Sequence, residues 1–210
     1  MAERINVLKT YKIFIGGKFP RTESGRFYQL NNSSKAIANV CLSSRKDLRN
    51  AVVAARGAFE KWSGATAYNR SQILYRMAEM MEGRKDQFIS ELVLQGVDRK
   101  KATVEVDLSI DRIIYFAGWS DKINQVFGSV NPVASSHFNF SLMEPMGVVG
   151  LVAPENSGLL GLVSSLCPIL VSGNCAVVLA SEKLPLCSIT LAEVLATSDV
   201  PAGVVNILTG

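Results

Sequence analysis

The sequence predicts an α/β protein, with a helical N-terminal layer carrying small antiparallel strands, followed by a partial parallel βαβαβ sheet. Three observations carry this expectation. Apolar residues recur at helical spacing between residue 44 and about residue 124. From Met146 onward, strand-length apolar runs alternate with helix-length ones: GVVGLVA, LLGLVSSLCPILVS, AVVLA, LCSITLAEVLATS and VVNIL. Charge is divided in the same way: Pro145 to Gly210 holds one base, Lys183, and four acids, whereas 21 bases and 14 acids precede Pro145. The organisation expected is therefore 1–144 for strands, helices and a further strand, and 145–210 for the parallel sheet.

In chain order, YKIFIGGKF and FYQLNNSSKAIANVCL read as two short antiparallel pieces, the second turning around Asn31 to Ser34. Ser44 followed by Asp47 is a capping-box start, and Leu48, Val52, Ala55, Phe59 and Trp62 continue it as an amphipathic helix to Gly64. Glycines also stop the next two helices, at Gly83 and Gly96. A longer helix is expected from Arg99 to Asn124. HFNFSL alternates Phe138, Phe140 and Leu142 with His137, Asn139 and Ser141, the pattern of a half-buried strand. The three apolar strands that follow are joined by PENSG and SEKLP loops, Gly173-Asn174 and Pro201-Ala202-Gly203. Right-handed crossovers would cover both faces of their sheet and leave an unfinished edge.

With 210 residues, 48% of them hydrophobic, the chain can bury about two thirds of its extended surface, which excludes disorder. Basic residues alternate with acids along the helices instead of clustering with aromatics, so nucleic acid is discounted. The excess of bases before Pro145 leaves a binder of acidic partners as a minor reading. Cys41, Cys167, Cys175 and Cys187 form no C-x-x-C pair, three lie in apolar runs, and a reducing, cytoplasmic setting is expected. MAERINVLKT has no apolar leader core. Asn156 to Ser181 is uncharged and long enough for a membrane, but Pro168, Gly173-Asn174 and its serines divide it into helix, turn and strand. No metal-ligand cluster, Walker A or G-x-G-x-x-G motif occurs.

EPMGVVGLVAPEN, SGNCAVVLASEKLPL and VPAGVVNILTG, in this order and spacing, resemble the first half of the cofactor domain of the aldehyde dehydrogenase superfamily. KDLRNAVVAARGAFEKW, NRSQILYRMAEMMEGRKDQF and DRIIYFAGWSDKI are similar to that family's leading helices. The likeness runs from Tyr11 to Gly210, and the AGWSDK wording looks most like family 16, whose chains carry a second, degenerate unit. It implies an incomplete aldehyde dehydrogenase fold with a Rossmann-like sheet. It also implies NAD or NADP as coenzyme and a cysteine thiolate that attacks the aldehyde, with an asparagine amide holding the oxyanion and a glutamate activating water.

Asn156 matches the asparagine, and the resemblance places coenzyme-binding positions at Val152, Ala153, Pro154, Ala180 and Glu182. The family's cysteine, glutamate and pyrophosphate-holding helix start all lie beyond the match of Gly210. Glu155, Ser157 and Gly158 replace the family's aromatic before the asparagine and its Phe-Pro pair after it. Ala180 replaces the ribose-binding lysine. Two readings stay open at each position: Asn156 as a relic oxyanion donor or as an N-cap, and Glu182 as a ribose ligand or a solvated loop acid. The cysteines read as core, and His137 as polar-face surface on a strand that matches the family's oligomerisation strands. Two functions are carried forward. One is the N-terminal portion of an aldehyde dehydrogenase, inactive as this chain; the other is a noncatalytic scaffold or interaction module. The partner expected is a second copy of the chain or the remainder of a longer one.

Overall fold

The computed structural model describes residues 7–210, so residues 1–6, on which much of the leader reading rests, lie outside the described residues. Its N-terminal sheet has β1 (Thr10–Tyr11), β2 (Phe27–Asn32) and β3 (Lys35–Cys41) in the order β1-β3-β2. The β2–β3 hairpin is antiparallel as expected, and Ser33 turns it with φ of 55°. The YKIFIGG stretch differs from its expected antiparallel pairing. Thr10 and Tyr11 run parallel to Asn39 and Val40, and the residues beyond them cross to the other sheet.

Four main helices follow: α1 (Arg45–Ser63), α2 (Ala67–Glu82), α3 (Lys85–Leu94) and α4 (Arg99–Ala117). The capping box forms at α1, where Ser44 Oγ accepts from the Asp47 amide at 3.3 Å and Asp47 Oδ2 accepts from the Ser44 amide at 2.8 Å. Asp47 is buried and also accepts from Thr22 Oγ1 at 2.5 Å and the Glu23 amide at 3.0 Å, which pins the preceding loop. Burial alone would raise this carboxyl's pKa, but the hydrogen bonds from Thr22, Ser44 and Glu23 outweigh it and hold the group below the ordinary carboxylate range. Stability from such a group is present above its unfolded pKa, about 3.9, and is lost as pH falls through the lower folded value. Urea unfolding at a series of pH values is expected to show that acid-side loss in the parent chain. Asp47→Asn should lack this part of the slope and be about 1 kcal/mol less stable at neutral pH.

The long helix expected to reach Asn124 stops at Ala117. Gly118 caps it by donating to Ile114 and Phe116 carbonyls, and Ser120 Oγ anchors the turn on the Ala67 carbonyl at 2.8 Å. A single turn, α5 (Ile123–Phe127), then leads into the hairpin of β4 (Ser129–Asn131) and β5 (Asn139–Ser141). Its half-buried character is not observed: Phe138, Phe140, Leu142 and Val130 are exposed, Phe138 at 75%. Among the described residues the two strands pair only with each other, which leaves this hairpin without a third strand.

The βαβαβ unit forms as predicted, with β6 (Val148–Val152), α6 (Leu160–Val171), β7 (Cys175–Leu179), α7 (Leu186–Thr197) and β8 (Val205–Leu208) in parallel order β6-β7-β8. Only one of its edges is bare. Phe14 exchanges both backbone hydrogen bonds with Ile207, at 2.8 and 2.7 Å, and the Ser43 amide donates to the Thr209 carbonyl at 2.8 Å. Buried Asn206 completes this seam by accepting from the Gly16 amide at 2.9 Å and donating to the Gly203 carbonyl at 2.8 Å. Among the described residues the outer edge of β6 has no strand beside it. Helix α1 lies over the sheet and leaves a groove of about 640 Å³ lined by Leu48, Val52, Val152, Val177, Leu179 and Leu208. Cover on that side is incomplete, and Val152 is 74% exposed. Among the described residues no helix is long and apolar enough to cross a membrane.

Candidate active site

Parallel strands end on the same side of a sheet, and that side is where open α/β sheets hold their ligands. Here the carboxyl ends of β6 and β7 bring together the stretches Val152–Pro154 and Ala180–Glu182. Ala153 is buried and extends the ladder by one step, its amide donating to the Leu179 carbonyl at 2.9 Å. Ala180 does the same toward the Leu208 carbonyl at 2.9 Å, with its methyl buried. Pro154 ends the strand direction, and Glu155 and Asn156 form the turn that follows.

Asn156 is exposed, and among the described residues its side chain has no hydrogen bond; the N-cap reading therefore gives way. The first turn of α6 is served by two other groups. Ser157 Oγ accepts from the Gly161 amide at 2.8 Å. Glu105 Oε1, from α4, accepts from Ser157 Oγ at 2.9 Å and from the Leu159 and Leu160 amides at 2.8 and 3.2 Å. A carboxylate at this point satisfies orphan amides and opposes the positive end of the helix. Sequence reasoning missed Glu105 because it caps a helix that begins more than fifty residues later. The available signal was an acid on the buried stripe of α4, between Ala102 and Val106.

Between α4 and this loop runs an open groove of about 450 Å³ lined by Val104, Leu108 and Leu160, with Asn156, Ser157 and Glu105 on its walls and Lys100 and Lys101 also facing it. Asn156 thus lies on the wall of this largely apolar trough.

Glu155 has a different task. Its Oε1 accepts from the Glu182 amide at 3.0 Å, and its Oε2 from the Lys183 amide at 3.2 Å and Ser181 Oγ at 3.3 Å. The Glu182 amide, ahead of the opposing effect of burial, holds this carboxyl below its ordinary range. The loop after β7 is therefore clasped by the chain's own anion. Glu182 itself is exposed, and its carbonyl accepts from Tyr28 Oη at 3.3 Å. A dinucleotide needs polar partners for its ribose and phosphates at these strand ends. Ala180 offers only a buried methyl, and two loop amides are already taken. The residues present do not fit a complete dinucleotide site.

No activated thiol stands nearby. Burial pushes the Cys167 thiol up to about 12 and the Cys175 thiol up to about 11, and burial together with Glu91 raises Cys187 well above the ordinary thiol value. Thiols so raised are poor nucleophiles. His137 sits on the exposed hairpin with its Nδ1 2.8 Å from Ser135 Oγ.

Comparison with known proteins agrees with this architecture. The sequence profile of the aldehyde dehydrogenase family matches residues 21–210. Cytosolic 10-formyltetrahydrofolate dehydrogenase of Mus musculus is 34% identical over 218 residues, covering 99% of this chain and 24% of that protein. Omega-crystallin of Enteroctopus dofleini is 33% identical over 210 residues, covering 97% of this chain and 42% of that protein. The NAD+ complex of an aldehyde dehydrogenase from Bacillus cereus superposes with a TM-score of 0.91 at 28% identity, over 96% of this chain and 42% of that one. The chain thus spans between 24% and 42% of the length of these relatives. By fold, by profile and by sequence identity, the chain belongs to the aldehyde dehydrogenase family and corresponds to the N-terminal portion of its fold.

Proposed function

We propose that this chain supplies the oxyanion asparagine, Asn156, and the first half of the coenzyme sheet, residues 145–210, to an NAD(P)-dependent aldehyde dehydrogenase, and that alone it oxidises no aldehyde. The observation that carries the reading is the position of Asn156, unpaired and exposed just past the carboxyl end of β6, beside an apolar groove. In the complete reaction its amide would donate to the oxygen of the attacked carbonyl as negative charge builds there. The nucleophile and the water-activating base would come from elsewhere, since every cysteine of this chain is buried. The bare outer edge of β6 is the place for further strands, from more of the same polypeptide or from a partner. The exposed Phe138 and Phe140 of the β4–β5 hairpin are the surface for self-association. Four free, buried thiols support a reducing, cytoplasmic setting.

A second reading, a noncatalytic module like the degenerate unit of family 16, is favoured by one specific feature. The Glu155 clasp occupies loop amides where a coenzyme would need freedom. One experiment addresses both. The purified chain is given an aliphatic aldehyde and either NAD or NADP, reduced coenzyme is followed by absorbance, and binding is followed by calorimetry. No turnover is expected. Turnover would refute the inactive status of the chain, and tight coenzyme binding would remove the main support of the noncatalytic reading.

A further inference from the structure

We infer that the groove beside Asn156 selects aldehydes carrying an anionic group several carbons from the carbonyl, with Lys100 and Lys101 as the residues that recognise it. The inference rests on the reading of Asn156 as the donor to the aldehyde oxygen, and it adds a substrate class to that reading. Lys100, Val104 and Leu108 follow one another at four-residue steps, so they share one face of α4. At about 1.5 Å of rise per residue, Lys100 lies roughly 12 Å along the helix from Leu108. The trough they line with Leu160 is mostly apolar, with Glu105, Asn156 and Ser157 on its walls. An aliphatic chain fills such a trough, and an ammonium at its end attracts a counter-charge.

That counter-charge is not provided within the described residues. Lys46, Arg76, Arg84 and Lys85 each meet a carboxylate, whereas neither Lys100 nor Lys101 has one within ion-pair distance. Two acids stand close by, and both are engaged. Asp98 Oδ1 accepts the Lys100 and Lys101 backbone amides at 3.1 and 3.3 Å, and Glu105 Oε1 collects three donors from the start of α6. Two free cations beside an apolar trough complement an amphipathic molecule with an acidic end. A neutral aldehyde of the same length would use the trough alone. Because both lysines are solvent-exposed, the advantage of the acid over its neutral analogue is roughly fivefold in affinity at low salt.

The test is a nuclear magnetic resonance titration of the purified chain with hexanal and, separately, with 6-oxohexanoate, which shares its carbon skeleton and adds a carboxylate. The amides of Val104, Leu108, Ser157 and Leu160 are read, at low and high salt. Both ligands are expected to move these amides, with 6-oxohexanoate binding about fivefold more tightly at low salt. That preference should disappear at high salt and in the double variant Lys100→Gln/Lys101→Gln. If neither ligand moves these amides, the aldehyde reading of the groove falls and this inference with it. Equal affinities, or a preference that survives in the double variant, would overturn the inference and leave the aldehyde reading standing.

Discussion

Arg70→Ala is expected to lower the unfolding free energy by about 3 kcal/mol, because it strips one half-buried guanidinium from three carbonyls. Arg70 Nε donates to Val171 at 3.0 Å, and its Nη1 donates to Ala65 at 2.5 Å and Ser63 at 3.4 Å. Ser63 and Val171 end α1 and α6, where carbonyls lack partners within their own helices, and Ala65 follows the Gly64 cap of α1. The side chain also brings positive charge to two negative helix ends at once. Burial lowers its pKa from the ordinary arginine value, which is the desolvation cost that the carbonyls offset. Lysine keeps the charge but loses the planar fork, so Arg70→Lys should recover less than half of the loss. Urea unfolding of the two variants against the parent chain checks both magnitudes. A loss under 1 kcal/mol in the alanine variant would mean that water replaces the guanidinium at these carbonyls without cost.

Glu105→Ala is expected to cost about 2 kcal/mol and to loosen the Asn156 loop. It leaves two amides and the Ser157 hydroxyl at the start of α6 without their acceptor. Glu105→Gln keeps an acceptor oxygen and gives up the charge at the helix end, so it should cost about half as much. Stability by urea unfolding tests the first part. Hydrogen exchange tests the second: the Leu159 and Leu160 amides should lose protection in the alanine variant, while amides in β7 should change only with global stability. Equal behaviour of the two variants would assign the whole effect to charge.

The parts of this fold that the sequence made legible are those decided within a few residues. Ser44 and Asp47 cap α1 from three positions apart, and Gly64 and Gly83 each close a helix by donating to carbonyls two and four residues back. The apolar runs of β6, β7 and β8 need no knowledge of their partners to be recognised as buried strands. Glu105, Glu155 and Phe14 were illegible for the opposite reason. Glu105 caps a helix belonging to another part of the chain, Glu155 clasps residues 181–183, and Phe14 pairs with Ile207. A local pattern holds no record of such partners. Phe138 and Phe140 show the converse failure: alternation predicts that a face is apolar, and only the rest of the assembly decides whether anything covers it. Of the candidate site, the motif located Asn156, whereas its groove depended on how α4 lies against α6.

The pairing of Phe14 with Ile207 also sets an order of events during synthesis. Ile13 and Phe14 are made well before the strand that they join, which arrives some 190 residues later. Until then these apolar residues have no edge to join. Closing so large a loop is a slow, non-local step, which helices α1 to α4 can precede but cannot replace. The segment around Phe14 and strand β8 therefore become ordered together, and a nascent chain halted before β8 holds that segment ready for the wrong partner.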